Sequence, residues 1–108
     1  MTSFEELTAA SFQIIAAVGG ARSCYIEAIH QAKAGDFEAA RASIKQGDEL
    51  YAEGHHAHLG LVQKEAAGDP TPMCLMLTHA EDQLMSAEGF GILAEEFVGV
   101  YESIHAQA

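Results

Sequence analysis

Three polar side chains at helical spacing are the first candidates for chemistry in this sequence. His79, Asp82 and Gln83 lie within one short stretch, and residues three or four apart share one face of a helix. The imidazole of His79 suits a nucleophile or a general base, because its neutral form is abundant at neutral pH. Gln83, one turn along, could orient that ring or donate a hydrogen bond to a bound group. The spacing predicts a histidine-centred site on one helix face.

The same face continues as an apolar stripe toward the C-terminus. At alternating spacings of three and four it holds Met76, His79, Gln83, Ser86, Phe90, Leu93, Phe97, Val100 and Ile104. Such spacing is typical of the buried seam of a helical bundle. Polar residues at core positions need a role. We therefore predict that this seam faces the core, with His79 on its polar half. The alternative is a structural histidine that a neighbouring side chain satisfies.

The other motifs narrow the chemistry. The sequence has no GxxxxGK[ST] loop for nucleotide phosphates and no serine or cysteine placed to suggest a hydrolytic triad. A histidine that accepts a phosphoryl group from another protein needs neither feature. It needs exposure, a fixed tautomer and hydrogen-bond donors near the phosphate. From the residues alone, a phosphohistidine relay is therefore compatible with His79, and the structural histidine stays open beside it.

Two further groups could bind metal. His55, His56 and His58 lie close together in sequence, and imidazoles bind zinc, but no HExxH motif or cysteine pair accompanies them. We expect instead that His58 faces a neighbouring helix, with zinc binding as an alternative. If copies of the chain pack around the third helix, their Asp82 carboxylates would meet. Such carboxylates must share protons or take an oxygen-liganding cation such as Mg²⁺.

Helix signals divide the chain into three long segments that position these residues. Ser3 begins a capping box, Gly35 with Asp36 makes a very short connection, and Thr71 with Pro72 suits the start of the last helix. Short connections imply antiparallel neighbours. We predict an all-α, antiparallel three-helix up-down-up bundle in one domain, 1–108. The predicted helices span about 3–34, 36–67 and 72–105.

Glycines within these segments predict close helix packing. The predicted inner positions of the second helix are Phe37, Ala40, Ile44, Gly47, Tyr51, Gly54, His58 and Leu61. The glycines among them, Gly47 and Gly54, suggest tight contacts with a neighbouring helix. The adjacent pair Gly19 and Gly20 costs the first helix roughly 2 kcal/mol of propensity against alanine. Close backbone packing or a local kink should offset that cost. Three thin rods bury little core alone and would bury more if three copies packed together, so we predict an oligomer.

Composition limits the partners. The chain has 108 residues, of which 49% are hydrophobic, and a net charge of −11. Nucleic acid and an anionic membrane are poor partners for such a surface, whereas a basic protein would be steered toward it. Four glutamates repeat every seven residues on the third helix and form either a solvated face or a docking surface for that protein. They are Glu81, Glu88, Glu95 and Glu102.

Cysteine use and hydropathy predict a cytoplasmic protein. Cys24 and Cys74 are far apart without CxxC spacing, which favours reduced thiols in the core. The N-terminal residues show no signal-peptide pattern, and no apolar run reaches the length of a membrane span. We expect no direct insertion into a membrane.

Four stretches in order resemble the enzyme IIA component of the lactose/cellobiose family of the phosphoenolpyruvate-dependent sugar phosphotransferase system. The first contains Gly-Gly-Ala-Arg-Ser, and the last, Thr-His-Ala-Glu-Asp-Gln-Leu-Met, is similar to the family's phosphorylation motif His-x-x-Asp-x-Leu-Met. The sequence also departs from the family pattern, since Gln83 stands where the family often has His. The similar stretches are 12–23, its continuation at 27–28 and 32–37, 52–58 together with 63–68, and 78–85.

The resemblance implies a function for this site. His79 matches the histidine that takes phosphate from the histidine-containing phosphocarrier protein and passes it to enzyme IIB, during transport of a β-disaccharide of the lactose, cellobiose or chitobiose type. The resemblance also implies that three chains assemble as a homotrimer, in which Asp82 matches the aspartate near the trimer axis that holds one Mg²⁺ per trimer. From position alone, Gln83 and a neighbouring chain's His58 are candidate supports for His79. The rival hypothesis is a non-catalytic interaction or regulatory module on the same scaffold.

Overall fold

Three long helices account for most of residues 3–108, the part of the chain that the computed structural model describes. They are α1 (Phe4–Lys33), α2 (Phe37–Ala66) and α3 (Leu75–Ala106), and no strand occurs within residues 3–108. Leu7 near the start of α1 packs with Leu61 near the end of α2 and Leu77 near the start of α3. The helices therefore run up, down and up in a rod of 59 × 20 × 19 Å. The all-α, three-helix prediction is confirmed.

The first two helices begin and end where their capping residues predict. The Glu6 backbone N–H donates to Ser3 Oγ at 3.1 Å, and the Ala39 N–H donates to Asp36 Oδ1 at 3.2 Å. These bonds satisfy backbone donors that have no partner inside the helix. Between α1 and α2, Gly35 takes a φ of 88°, a left-handed conformation that glycine adopts without strain. The turn is short, and it holds α1 and α2 antiparallel.

The third helix begins later than predicted. Thr71 and Pro72 do not start it; the helix begins at Leu75, and Cys74 occupies the N-cap position without a side-chain capping bond. The prolines at 70 and 72 disfavour helical backbone in the residues before them. Cys74 is extended, with φ −146° and ψ 163°, and it packs against the leucine cluster at that end of the bundle. The connection thus crosses from α2 to α3 without regular secondary structure over residues 69–74.

The core runs along a seven-residue repeat in α1. Its buried positions alternate at four and three residues, the pattern of a bundle seam, and face α2 and α3. They are Leu7, Ser11, Ile14, Val18, Ala21, Tyr25, Ala28 and Ala32, and Ala17 beside Val18 is buried as well. The predicted seam of α2 is also confirmed, since each of its eight positions is buried or half-buried. The predicted close contacts of Gly47 and Gly54 hold as well. A Cβ at Gly54 would lie 2.6 Å from Val18 Cγ1.

Tyr25 is a buried aromatic side chain at a tightly packed point of the bundle. It is 2% exposed, and its hydroxyl donates to Asp48 Oδ1 at 2.6 Å. Glycines approach the ring from both other helices: a Cβ at Gly47 would lie 2.6 Å from Tyr25 Cε1, and one at Gly91 would lie 2.9 Å from Tyr25 Cζ. The glycines leave the space that the ring fills.

The core-facing side predicted for α3 is wrong. The buried positions lie one residue along, at Leu77, Ala80, Leu84, Ala87, Ala94 and Val98. Alanines let α3 approach α1 closely, while larger side chains of the predicted seam point outward. Leu93 is 55% exposed and Val100 is 52% exposed. We call this outward apolar row the outer stripe; it comprises Leu75, Leu93, Phe97, Val100 and Ile104.

The structure also bears on the glycine pair of α1, the two cysteines and the expected absence of a membrane span. α1 continues through Gly19 and Gly20; a Cβ at Gly20 would lie 3.2 Å from Leu50 of α2, whereas Gly19 faces open space. Cys24 and Cys74 are free thiols but only half-buried, and burial raises the pKa of Cys24. Within residues 3–108, no helix has the length and apolarity needed to cross a membrane.

Candidate functional site

His79 lies exposed on the second turn of α3. It borders an open apolar groove of about 610 Å³ between the start of α3 and the first half of α1. The other side chains that line the groove are Phe4, Phe12, Ile15, Cys74, Leu75 and Met76. Phe4 and Phe12 are themselves largely exposed. A second protein can therefore reach the imidazole across apolar surface.

Gln83 lies one turn after His79 and is held from α1. The Arg22 guanidinium donates from Nη1 to Gln83 Oε1 at 2.7 Å, and both side chains are half-buried. A guanidinium has donors and no acceptor, so the oxygen end of the amide must face Arg22. The N–H₂ end of Gln83 then points away from Arg22. Across residues 3–108, the N–H groups of that amide have no hydrogen-bond partner.

The structure brings Arg22 to this site, although the sequence indicated no role for it. Arg22 and Gln83 are 61 residues apart, so local spacing cannot pair them. The seven-residue repeat of α1 gives one clue to the position of Arg22. Arg22 follows Ile15 by one repeat, and Ile15 lines the groove beside His79. Residues one repeat apart lie on the same side of a bundle helix.

His58 lies on the other flank of α3. Its Nε2 is 2.7 Å from Glu81 Oε2, and the histidine is half-buried. His58 therefore faces a neighbouring helix, as expected. Within one chain it contacts the glutamate and not the imidazole of His79. The structure thus places Gln83, but not His58, beside His79 within one chain.

The four repeated glutamates of α3 lie on the flank next to α2, where two have partners and two are exposed. Glu81 contacts His58, and Glu102 pairs with Arg41. Glu88 and Glu95 line a shallow cavity of about 210 Å³ with Tyr25 and Asp48. Burial, followed by the charge of Glu88, raises the pKa of Tyr51 in the same cavity. Two of the four acids are therefore already engaged by α2.

Asp82 is exposed and belongs with the outer stripe. Leu93 and Val100 follow it after about three and five turns of 3.6 residues, so all three project in one direction. One chain offers a single carboxylate there. No group of three or more His, Cys, Asp or Glu side chains that could hold a metal ion occurs within residues 3–108. Only several copies packed along the stripe would assemble enough oxygen ligands at Asp82 for Mg²⁺.

The histidine cluster of α2 does not converge on one point. His58 is engaged with Glu81, and the ring of His55 lies 5.9 Å from that of Tyr51 in a tilted arrangement. Neighbouring residues on a helix point in different directions, which separates His56 from both. Zinc binding by this cluster has no support in the described part of the chain.

Comparison with known proteins assigns the scaffold. The family model described as "PTS system, Lactose/Cellobiose specific IIA subunit" matches residues 9–102. The chain belongs to this IIA family. Membership makes it a phosphotransferase-system component, a phosphocarrier in sugar transport.

Individual relatives of this IIA chain agree. It is 41% identical over 103 residues to the lichenan-specific phosphotransferase enzyme IIA component of Bacillus subtilis (strain 168), covering 95% of this chain and 94% of the relative. It is 42% identical over 82 residues to the lactose-specific EIIA component of Staphylococcus aureus (strain N315), covering 76% and 80%. The crystal structure of the cellobiose-specific enzyme IIA from Bacillus anthracis superposes with a TM-score of 0.91 at 35% identity, covering 100% and 97%.

Proposed function

We propose that this IIA subunit carries its phosphoryl group on His79 in the cytoplasm. It takes the group from a histidine-containing phosphocarrier protein and passes it to an enzyme IIB component. The observation that carries the proposal is the exposed imidazole at the edge of an open apolar groove. Transfer between proteins requires a nucleophile that the donor can reach in line. Phe4 and Phe12 beside it offer apolar surface to a docking partner.

The chemistry consists of two displacements at the same phosphorus atom. A nitrogen lone pair of neutral His79 attacks phosphorus, a new N–P bond forms, and the N–P bond to the donor's histidine breaks. A cysteine thiolate of enzyme IIB then attacks, and the imidazole of His79 leaves. Rate enhancement comes from positioning and from donors around the phosphoryl oxygens. The net charge of −11 favours encounter with a basic donor surface.

The sugar class we propose is a β-disaccharide of the lactose, cellobiose or chitobiose type. The names of the relatives, which specify lichenan, lactose and cellobiose, support this class. The sugar would bind the membrane permease and not this chain. Transfer of labelled phosphate to each sugar in a reconstituted system would identify it.

The decisive experiment is phosphorylation of purified protein. Incubation with the general phosphotransferase proteins and phosphoenolpyruvate should give an acid-labile mass gain of one phosphoryl group on His79. We expect His79→Ala to abolish that gain while the helical signal in circular dichroism is unchanged. Undiminished labelling of the variant would disprove the assignment. No labelling of the wild type would favour a non-catalytic interaction module.

We further propose that three copies assemble along the outer stripe. Exposed Leu93, Phe97 and Val100 form a row of large apolar side chains, and such patches on a soluble domain mark interaction surfaces. Three Asp82 carboxylates would then converge and would bind Mg²⁺, whose charge lets them stay ionised, or share protons. Sedimentation with Mg²⁺ and with a chelator distinguishes Mg²⁺ binding from proton sharing, since a chelator should weaken only a trimer that is held together by Mg²⁺. A monomer under both conditions would refute the trimer.

A further inference from the structure

Arg22 stands out among the basic residues because its partner is neutral. Arg41 pairs with Glu102 and Lys64 lies 3.9 Å from Glu6, whereas Arg22 makes no ion pair within residues 3–108. Its one hydrogen bond there is to the amide oxygen of Gln83. In a chain with 16 acidic residues, a half-buried guanidinium bound to an amide suggests a positioning role.

The contact determines which end of the Gln83 amide faces Arg22 and which end is left for other partners. A glutamine amide has one accepting end, its oxygen, and one donating end, its N–H₂ group. The guanidinium fixes which end faces it, because a guanidinium can only donate. Its bond to Oε1 is charge-assisted and therefore among the stronger hydrogen bonds. Gln83 is left with two N–H donors on the helix face that it shares with His79.

We infer that Arg22 is a positioning residue for phosphoryl transfer, an inference that rests on the proposed function of His79. By holding Gln83 Oε1, Arg22 keeps the N–H₂ group turned toward the phosphoryl group as it arrives on the imidazole. The negative charge on the phosphoryl oxygens then meets donors that are already oriented. Without Arg22 the amide can rotate, and its oxygen would repel the phosphoryl oxygens.

The test is a single-turnover assay with the phosphorylated phosphocarrier protein as donor. Arg22→Met should lower the rate of transfer to His79 about tenfold or more, as expected for loss of one charge-assisted bond. The KM for the donor should change by less than about twofold, because docking is unaffected. Arg22→Lys retains a charged donor and should restore part of the rate. Lys45→Met removes the same charge from an exposed site on α2 and should react like the wild type.

A double variant separates positioning through Gln83 from other effects. Gln83→Leu should itself slow transfer, and adding Arg22→Met should slow it little further, since coupled residues are not additive. In the unphosphorylated protein, the side-chain amide signals of Gln83 in a ¹⁵N–¹H spectrum should move in Arg22→Met and not in Lys45→Met. This readout is independent of the donor, and circular dichroism confirms folding.

The outcomes separate the inference from the proposed function. Wild-type transfer to His79 with an equal rate in Arg22→Met would overturn the role of Arg22 and leave the relay intact. Losses that multiply in the double variant, or a change in KM alone, would also overturn it. A wild type that is not phosphorylated on His79 would overturn the relay, and the role of Arg22 with it.

Discussion

Substituting Gly47 tests how tightly Tyr25 is held in the core. A Cβ at Gly47 would lie 2.6 Å from the ring of Tyr25, inside van der Waals contact. The ring cannot move away freely, because its hydroxyl is bound to Asp48 at 2.6 Å and Gly91 approaches its far edge. Gly60, in the same helix, faces open space. Gly60→Ala is therefore the matched control.

The two substitutions should have opposite signs. In a helix interior, alanine is favoured over glycine by roughly 0.5–1 kcal/mol, which Gly60→Ala should gain in full. Overpacking a core costs typically about 1–3 kcal/mol. Gly47→Ala should therefore lose about 1–2 kcal/mol net of its gain in propensity. For a domain of this size, the Tm should fall by roughly 4–8 °C for Gly47→Ala and rise by roughly 2–4 °C for Gly60→Ala.

Thermal and urea unfolding followed by circular dichroism measure both effects. All variants are compared at one protein concentration, because self-association adds to apparent stability. In a Tyr25→Leu background the smaller side chain relieves the contact, so Gly47→Ala should be much less destabilising there. Equal stability of Gly47→Ala and Gly60→Ala would refute the packing of Tyr25 against α2.

Two further predictions concern alkaline pH and assembly. Burial, followed by the hydrogen bond to Asp48, raises the pKa of Tyr25 above its ordinary value, so as the pH rises the unfolded chain releases this proton before the folded chain does. The free energy of unfolding should therefore not depend on Tyr25 below about pH 10 and should fall above it. Urea titrations at a series of alkaline pH values should find a smaller slope in Tyr25→Phe. Leu93→Glu places a charge on the outer stripe and should convert the assembly to monomers in sedimentation velocity. Val62→Glu on α2 is the control and should leave the assembly intact. An intact assembly of Leu93→Glu would exclude the outer stripe as the interface.

The seams of α1 and α2 could be predicted from sequence because large apolar or tightly packed residues occupy their inner positions. Leu7, Ile14 and Val18 recur at bundle spacing and are buried. On α3 the same reasoning failed, because the inner face is built largely from Ala80, Ala87 and Ala94. Periodicity gives weight to large side chains, and on α3 several of these point outward.

The site was predictable only as far as its local spacing. His79 and Gln83 share a turn of one helix, and that follows from their positions alone. The orientation of Gln83 depends on Arg22, whose distance along the chain hides the pairing. The predicted start of α3 is wrong because Thr71 and Pro72 have good helix-start chemistry, whereas residues 69–74 are not helical and Cys74 at the N-cap packs against the leucine cluster.

Because α3 is apolar on two opposite sides, a single chain exposes apolar surface that favours non-specific binding. Its inner side is buried against α1, but the outer stripe through Leu93 and Val100 is exposed to solvent. On dilution, single chains would expose the outer stripe, which would then adsorb to vessel walls, detergents or misfolded chains. Buffers for handling this protein should therefore keep it concentrated, and losses on dilution should be smaller once a charge replaces one leucine of the row.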